Sequence, residues 1–160
     1  MRQTVFEDPH RTRLKGAEDV SRVLSGNPEA TAAIVMLGTN DCKKTFRASA
    51  EEIGKGLERC LDAFETGIAP ERILVISPIV LGENVWQPEK DPEFDRRSVS
   101  VSAGLKAVYE AIARRRNHLF LAASDYAGPS GYDDEHLNAE GHGALADAVY
   151  GILAGSLICG

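Results

Sequence analysis

The chain has no apolar run near the roughly 20 residues that a membrane-spanning helix requires, so no span is expected. Its three cysteines, Cys42, Cys60 and Cys159, are odd in number, far apart and without a CxxC pair. That spacing argues against a disulfide framework or a zinc knuckle and points to a reducing compartment. Positive charge is also scarce: 18 Lys and Arg stand against 24 Asp and Glu, a formal charge of −6. No basic excess is left to neutralise the phosphates of a nucleic acid. The one basic run, Arg114-Arg115-Arg116, reads as a helix C-terminus complementing its dipole. No glycine-rich phosphate loop follows any strand-like run, which weighs against a nucleotide-binding flavodoxin-like module. The opening stretch MRQTVFEDPHRTRL lacks the apolar segment of a secretory signal. The chain therefore reads as cytoplasmic, unless an upstream segment carries an address.

What is present is ordinary for a globular domain: 160 residues, 43% hydrophobic and 26% charged, with neither repeat nor linker. That length suits a single domain over residues 1–160 with a sizeable core. Three short, nearly continuous apolar runs stand out, Ala32–Leu37, Ile73–Pro78 and His118–Ala123. Runs without alternation suit strands covered on both faces, as in parallel sheets. Between them lie helical patterns. One runs from Arg47 to Glu65 with Ile53, Leu57, Leu61 and Phe64 on one side; another covers about Asp95 to Arg116, with Val101, Leu105, Val108 and Ile112. A third starts near Asn138, a suitable N-cap, and carries Leu145, Val149, Ile152 and Leu153 inward. A short helix over about Ala17–Leu24 precedes the first strand. This alternation predicts an α/β layered fold, in which ligands gather at the carboxyl ends of the strands.

Two segments at those ends carry chemistry. In GYDDEHLNAEGH, Asp133 precedes His136 by three residues, just before the last helix. At that spacing the carboxylate can accept the imidazole Nδ1–H, leaving Nε2 free as a general base. The plainer readings are a loop histidine behind acids that favour a helix N-terminus, or a metal pair of His136 with His142, for which no ligand spacing is present. In MLGTND, Asn40 can present its side-chain amide to a developing oxyanion. The competing reading is turn chemistry, which favours Gly, Asn and Asp wherever a strand stops.

Taken together, MLGTND at a strand end and DxxH before the last helix resemble two of the four blocks of the SGNH (GDSL-type) hydrolases. The strand ending in Ser77-Pro78, with a loop carrying Trp86, is similar to the arylesterase-like branch of that family. RQTVFEDP near the start resembles the family's GRTT segment followed by acid and proline. The resemblance implies a three-layer α/β/α, flavodoxin-like fold with a mostly parallel sheet. It also implies hydrolysis of a small carboxylic ester through an acyl-enzyme, without metal or organic cofactor. His136 is then the general base, Asp133 its orienting acid and Asn40 an oxyanion donor; Gly38, Thr39 and Trp86 are substrate-binding.

The departure from the family is equally specific. No Gly-Asp-Ser is present to supply the nucleophile, so the chain is expected to lack the family's first two strands and its serine. Ser77, Ser124, Ser130 and Cys42 do not sit on the strand-to-helix turn that activates a nucleophile. Without those strands, Ala32–Leu37 would expose an apolar edge, to be covered by a second copy of the chain or by an upstream segment. The alternative to an esterase is a non-catalytic remnant that binds a carbohydrate, an acyl ligand or a protein partner in the same cleft.

Overall fold

Ile73–Ser77 forms strand β2 and is buried at every residue. Successive strand side chains point to opposite faces, so Ile73 and Val75 enter one apolar core and Leu74 and Ile76 another. Strand β1 (Ala33–Val35) and strand β3 (Leu119–Ala122) flank β2, both parallel to it, in the order β1-β2-β3. The register sets Val35 and Phe120 on either side of Val75, so one apolar row crosses the sheet towards the first core. The computed structural model describes residues 3–6 and 16–158, and the side chains of these as far as residue 155. Arg2, residues 7–9 of the RQTVFEDP segment and Cys159 lie outside them.

Helices α2 (Ala50–Phe64) and α3 (Arg96–Arg115) cover the first face. Ile53, Leu57 and Leu61 of α2 are completely buried, and Leu105, Tyr109 and Ile112 of α3 meet them. Each such side chain contributes about 1.5–3 kcal/mol of hydrophobic stabilisation. Helix α1 (Gly16–Gly26) lies beside α2 and buries Val20. Helix α4 (Ala139–Ile158) covers the second face, where Leu145 is buried and Val149, Ile152 and Leu153 pack against the Leu74, Ile76 and Leu121 cluster. The result is the expected three-layer α/β/α arrangement. No described helix is long and apolar enough to cross a membrane.

Local chemistry sets the helix ends. The α2 helix begins at Ala50 rather than Arg47, because Ser49 and Glu52 form a capping box and Arg47 has a left-handed φ of 52°. Asp95 and Ser98 form a second box at the start of α3, and Asn117, at φ 59°, follows its C-terminus. Asn138 caps α4 through its side-chain oxygen, which accepts the Gly141 amide at 2.8 Å. The Arg114–Arg116 run does more than complement a dipole. Arg115 pairs with Glu58, and Arg116 with Asp62 and Glu65, which ties the end of α3 to α2.

The expectation of strands covered on both faces holds for β2 and fails for β1. Ile34 is 50% exposed and Met36 46%, since α4 lies over β2 and β3 and no described element covers β1 on that side. Among the described residues β1 pairs only with β2, so its other edge is open. The buried side of the sheet is another matter. Truncating Leu57 to Ala there is expected to lower unfolding stability by about 2–5 kcal/mol. Urea denaturation checks this, with a loss of unfolding free energy below about 1 kcal/mol counting against the packing described.

Candidate active site

The carboxyl end of β1 leads into a turn that only glycine fits. Gly38 has φ 125°, and a Cβ there would lie 2.5 Å from the Tyr109 hydroxyl, which itself donates to the Leu37 carbonyl at 2.9 Å. The turn continues into one 3-10 turn, Asn40–Cys42, that buries Asn40 and Asp41. The Asp41 carboxylate accepts the Thr4 amide at 2.9 and 3.0 Å and the Thr4 hydroxyl at 2.9 Å. The segment carrying Thr4 is in turn held by α1, whose Gly16 and Ala17 amides donate to the Gln3 and Thr4 carbonyls. Asn40 is thus held from both sides, by the Gly38 turn and by the Asp41–Thr4 clamp.

On the far side, Asp133 organises the loop before α4. Its Oδ1 accepts the Ser130 hydroxyl and the Glu135 and His136 amides, which leaves Oδ2 to accept the His136 Nδ1–H at 2.8 Å. Burial acts to raise the Asp133 carboxyl, but these donors outweigh it and hold the group well below the usual aspartate range. The loop is stitched to its neighbour as well. Asp134 Oδ2 accepts Lys90 Nζ at 2.5 Å and the Asn84 amide at 3.2 Å, and its carbonyl accepts the Gly82 amide at 2.8 Å. Gly82 permits that approach, since a Cβ there would fall 2.4 Å from the Asp134 Cβ.

His136 and Thr39 open onto one cavity of about 230 Å³, lined also by Met36, Pro78, Ile79, Glu135, Leu137 and His142. The structure thus brings the imidazole to the residue beside Asn40, across an apolar floor. Trp86 is not in this lining. Its indole donates to the Glu83 carbonyl, its ring lies under Arg96, and it faces a separate groove with Lys44 and Phe94. His142 shares the cavity with His136, but no described group of three or more His, Cys, Asp or Glu is arranged to hold a metal ion.

The arrangement, with an acid-steered imidazole and an amide-bearing turn at the carboxyl ends of parallel strands, suits acyl transfer. Comparison with known proteins agrees with it. Residues 4–144 match the model of the GDSL-like lipase/acylhydrolase family. The chain belongs to that family. A carbohydrate acetylesterase from Sinorhizobium meliloti, Est24, is 30% identical with a TM-score of 0.85, over 96% of this chain and 74% of that one. The inhibitor-bound aryl esterase of M. smegmatis is 26% identical with a TM-score of 0.85, over the same shares. A second S. meliloti carbohydrate acetylesterase family member, 24% identical with a TM-score of 0.79 over 96% and 76%, shares the fold. No curated protein sequence matches the chain.

For a GDSL-like chain the hydroxyl and thiol inventory around the cavity is telling. Among the described residues its lining holds neither serine nor cysteine. Ser77 is fully buried at the end of β2, and the Ser130 hydroxyl is spent on Asp133. Burial, then the Asp41 charge, pushes the Cys42 thiol up to about 12, which removes it as a thiolate nucleophile. Two residues that sequence reasoning left without a role are Asp41 and Glu135. Asp41 follows Asn40 in GTND and Glu135 belongs to the DDE run, yet only tertiary packing buries them.

Burial raises the Asp41 carboxyl from 3.8 to about 6, against the lowering effect of the Thr4 donors. An acid that binds its proton more tightly in the folded state loses stability as pH rises between those two values. This contribution, at most about 3 kcal/mol, is complete just above pH 6. Asp133 has the opposite sign, and its contribution is lost only as pH falls below the ordinary aspartate range. Asp41→Asn is therefore expected to flatten the decline in stability between pH 4 and 6.5. Residual slope remains from Glu135, which burial also raises. Chemical denaturation across that range is the check, and an unaltered slope would refute the assignment.

Proposed function

We propose that the chain is a carboxylic-ester hydrolase in which His136 is the general base, Asp133 its positioning acid and Asn40 an oxyanion donor, all within one domain spanning residues 1–160. The attacking serine comes from outside these 160 residues. The observation that carries the reading is the Asp133–His136 bond of 2.8 Å beside a cavity shared with Thr39, in a chain of this family. Asp133 holds Nδ1 protonated and leaves Nε2 as acceptor. As the serine Oγ bonds to the ester carbonyl carbon, its proton passes to Nε2, and the carbonyl oxygen becomes an oxyanion that accepts from the Asn40 amide. Collapse breaks the carbon–oxygen bond to the alcohol, which leaves with the Nε2 proton. Water then repeats the sequence on the acyl-serine and releases the acid. Thr39 lines the acyl side of the cavity and Gly38 shapes the turn that carries it; Trp86, which faces the other groove, is left out of it.

The resemblance to a carbohydrate acetylesterase at 30% identity favours short acyl groups on sugar or aryl alcohols. Turnover of a short-chain aryl acetate, with the serine-bearing segment supplied alongside the chain, is the test. Asn40→Ala is expected to cost about 10²–10³ in kcat and His136→Ala to abolish turnover. Turnover that survives His136→Ala would refute the mechanism. A second reading, a binding remnant of the same cleft, is favoured by the serine-free lining. It predicts a folded chain that binds an acetylated sugar and does not hydrolyse it even with a serine-bearing segment supplied.

The open β1 edge also suits a second copy of the chain. Ile34→Lys places a charge on its exposed apolar face and is expected to lower the assembly mass seen by light scattering. An unchanged mass removes this edge from the interface.

A further inference from the structure

Among the described residues Glu135 is the one carboxylate in the cavity lining, and it is 7% exposed. Among the described residues its Oε1 has no hydrogen-bond partner. A buried polar atom without a partner is costly and calls for an explanation. The other oxygen, Oε2, lies 3.8 Å from His136 Nδ1, the same ring nitrogen that Asp133 Oδ2 holds at 2.8 Å. The remaining charged groups near it are Asp91, Lys43 and Asp133. Lys43 is engaged by Glu93, and Asp133 by its own four donors. Glu135 therefore faces the imidazole with no bond of its own to lose.

We propose that Glu135 is a second station for the His136 Nδ1–H, a positioning residue that accepts this proton donor whenever the ring leaves Asp133. A general base in acyl transfer receives its proton on one side of the reaction centre and delivers it on the other, so its ring has to shift while keeping Nδ1 protonated. Closing about 1 Å by rotating a long side chain gives the shifted ring a carboxylate partner. Burial raises the Glu135 carboxyl, and a hydrogen bond from the imidazole would relieve that desolvation.

The inference builds on the reading of His136 as the base, but its test needs no turnover. The ring tautomer of His136 is read from its ¹⁵N shifts, at a pH where the imidazole is neutral and both carboxylates are ionised. Asp133→Ser withdraws the group opposite Nδ1 and keeps a short oxygen for the Glu135 and His136 amides. This variant is expected to keep His136 in the Nδ1–H form, held by Glu135. Adding Glu135→Gln is expected to lower the ratio of Nδ1–H to Nε2–H by about tenfold, the worth of one net charge-assisted hydrogen bond. The proposal is overturned if Asp133→Ser alone gives the tautomer mixture of a free imidazole and Glu135→Gln adds nothing. Should Asp133→Ser lose the native amide spectrum, Asp133→Ala with and without Glu135→Gln makes the same comparison, since the Asp134–Lys90 and Gly82–Asp134 bonds hold the loop independently. Failure of the ester assay with the tautomer result intact would count against the proposed reaction and leave the two-station arrangement standing.

Discussion

The Asp133 carboxylate divides its two oxygens between two tasks. Oδ1 gathers the Ser130 hydroxyl and the Glu135 and His136 amides, which folds the loop, and Oδ2 meets the His136 ring. The same charge that orients the imidazole thus also holds the backbone that delivers it. In a partly buried setting such charge-assisted bonds are worth more than neutral ones. They overcome the desolvation that otherwise favours the protonated acid. With the loop held this way, the His136 ring remains half exposed.

The amide-bearing turn is held by a different device. There the anchor is Asp41, deeply buried and satisfied by one backbone and one side-chain donor from Thr4. Residues 37 apart in sequence are joined through this carboxylate, and Tyr109 of α3 braces the preceding carbonyl. The Asn40 turn is therefore held through burial, and the His136 loop through hydrogen bonding. The two sides meet over Met36, Pro78 and Ile79, which give the cavity an apolar floor.

The sheet explains why the cavity lies where it does. Strand β2 is covered on both faces, and β1 on one face only. Parallel strands deliver their carboxyl ends to the same side of the sheet, so the Gly38 turn and Pro78 share an edge, and the loop after β3 reaches it through residues 123–136. The open edge of β1 begins at this cavity, since Met36 lines both the cavity and the groove beside α1.

Much of this was legible in the residues themselves. Period and β-branching located the three strands, because a strand buried on both faces admits no polar alternation, as Ile73–Ser77 illustrates. The spacing of Asp133 and His136 announced their hydrogen bond, since a turn of three residues before a helix brings just these groups together. Asn138 announced the start of α4 by the same local logic. Long-range packing decided the rest. Nothing in the letters GTND separates a solvated turn acid from the buried Asp41, and nothing in DDEH separates the buried Glu135 from the only partly buried Asp133 and Asp134. Trp86 looked like a wall of the cleft, yet its loop turns the ring under Arg96 and away from His136. Local periodicity and capping were determined by the sequence alone, because they depend on residues within a few positions of each other. Burial, and with it the charge state of Asp41 and the partner of Glu135, was decided only by tertiary structure, because desolvation is set by atoms that the chain brings from far away.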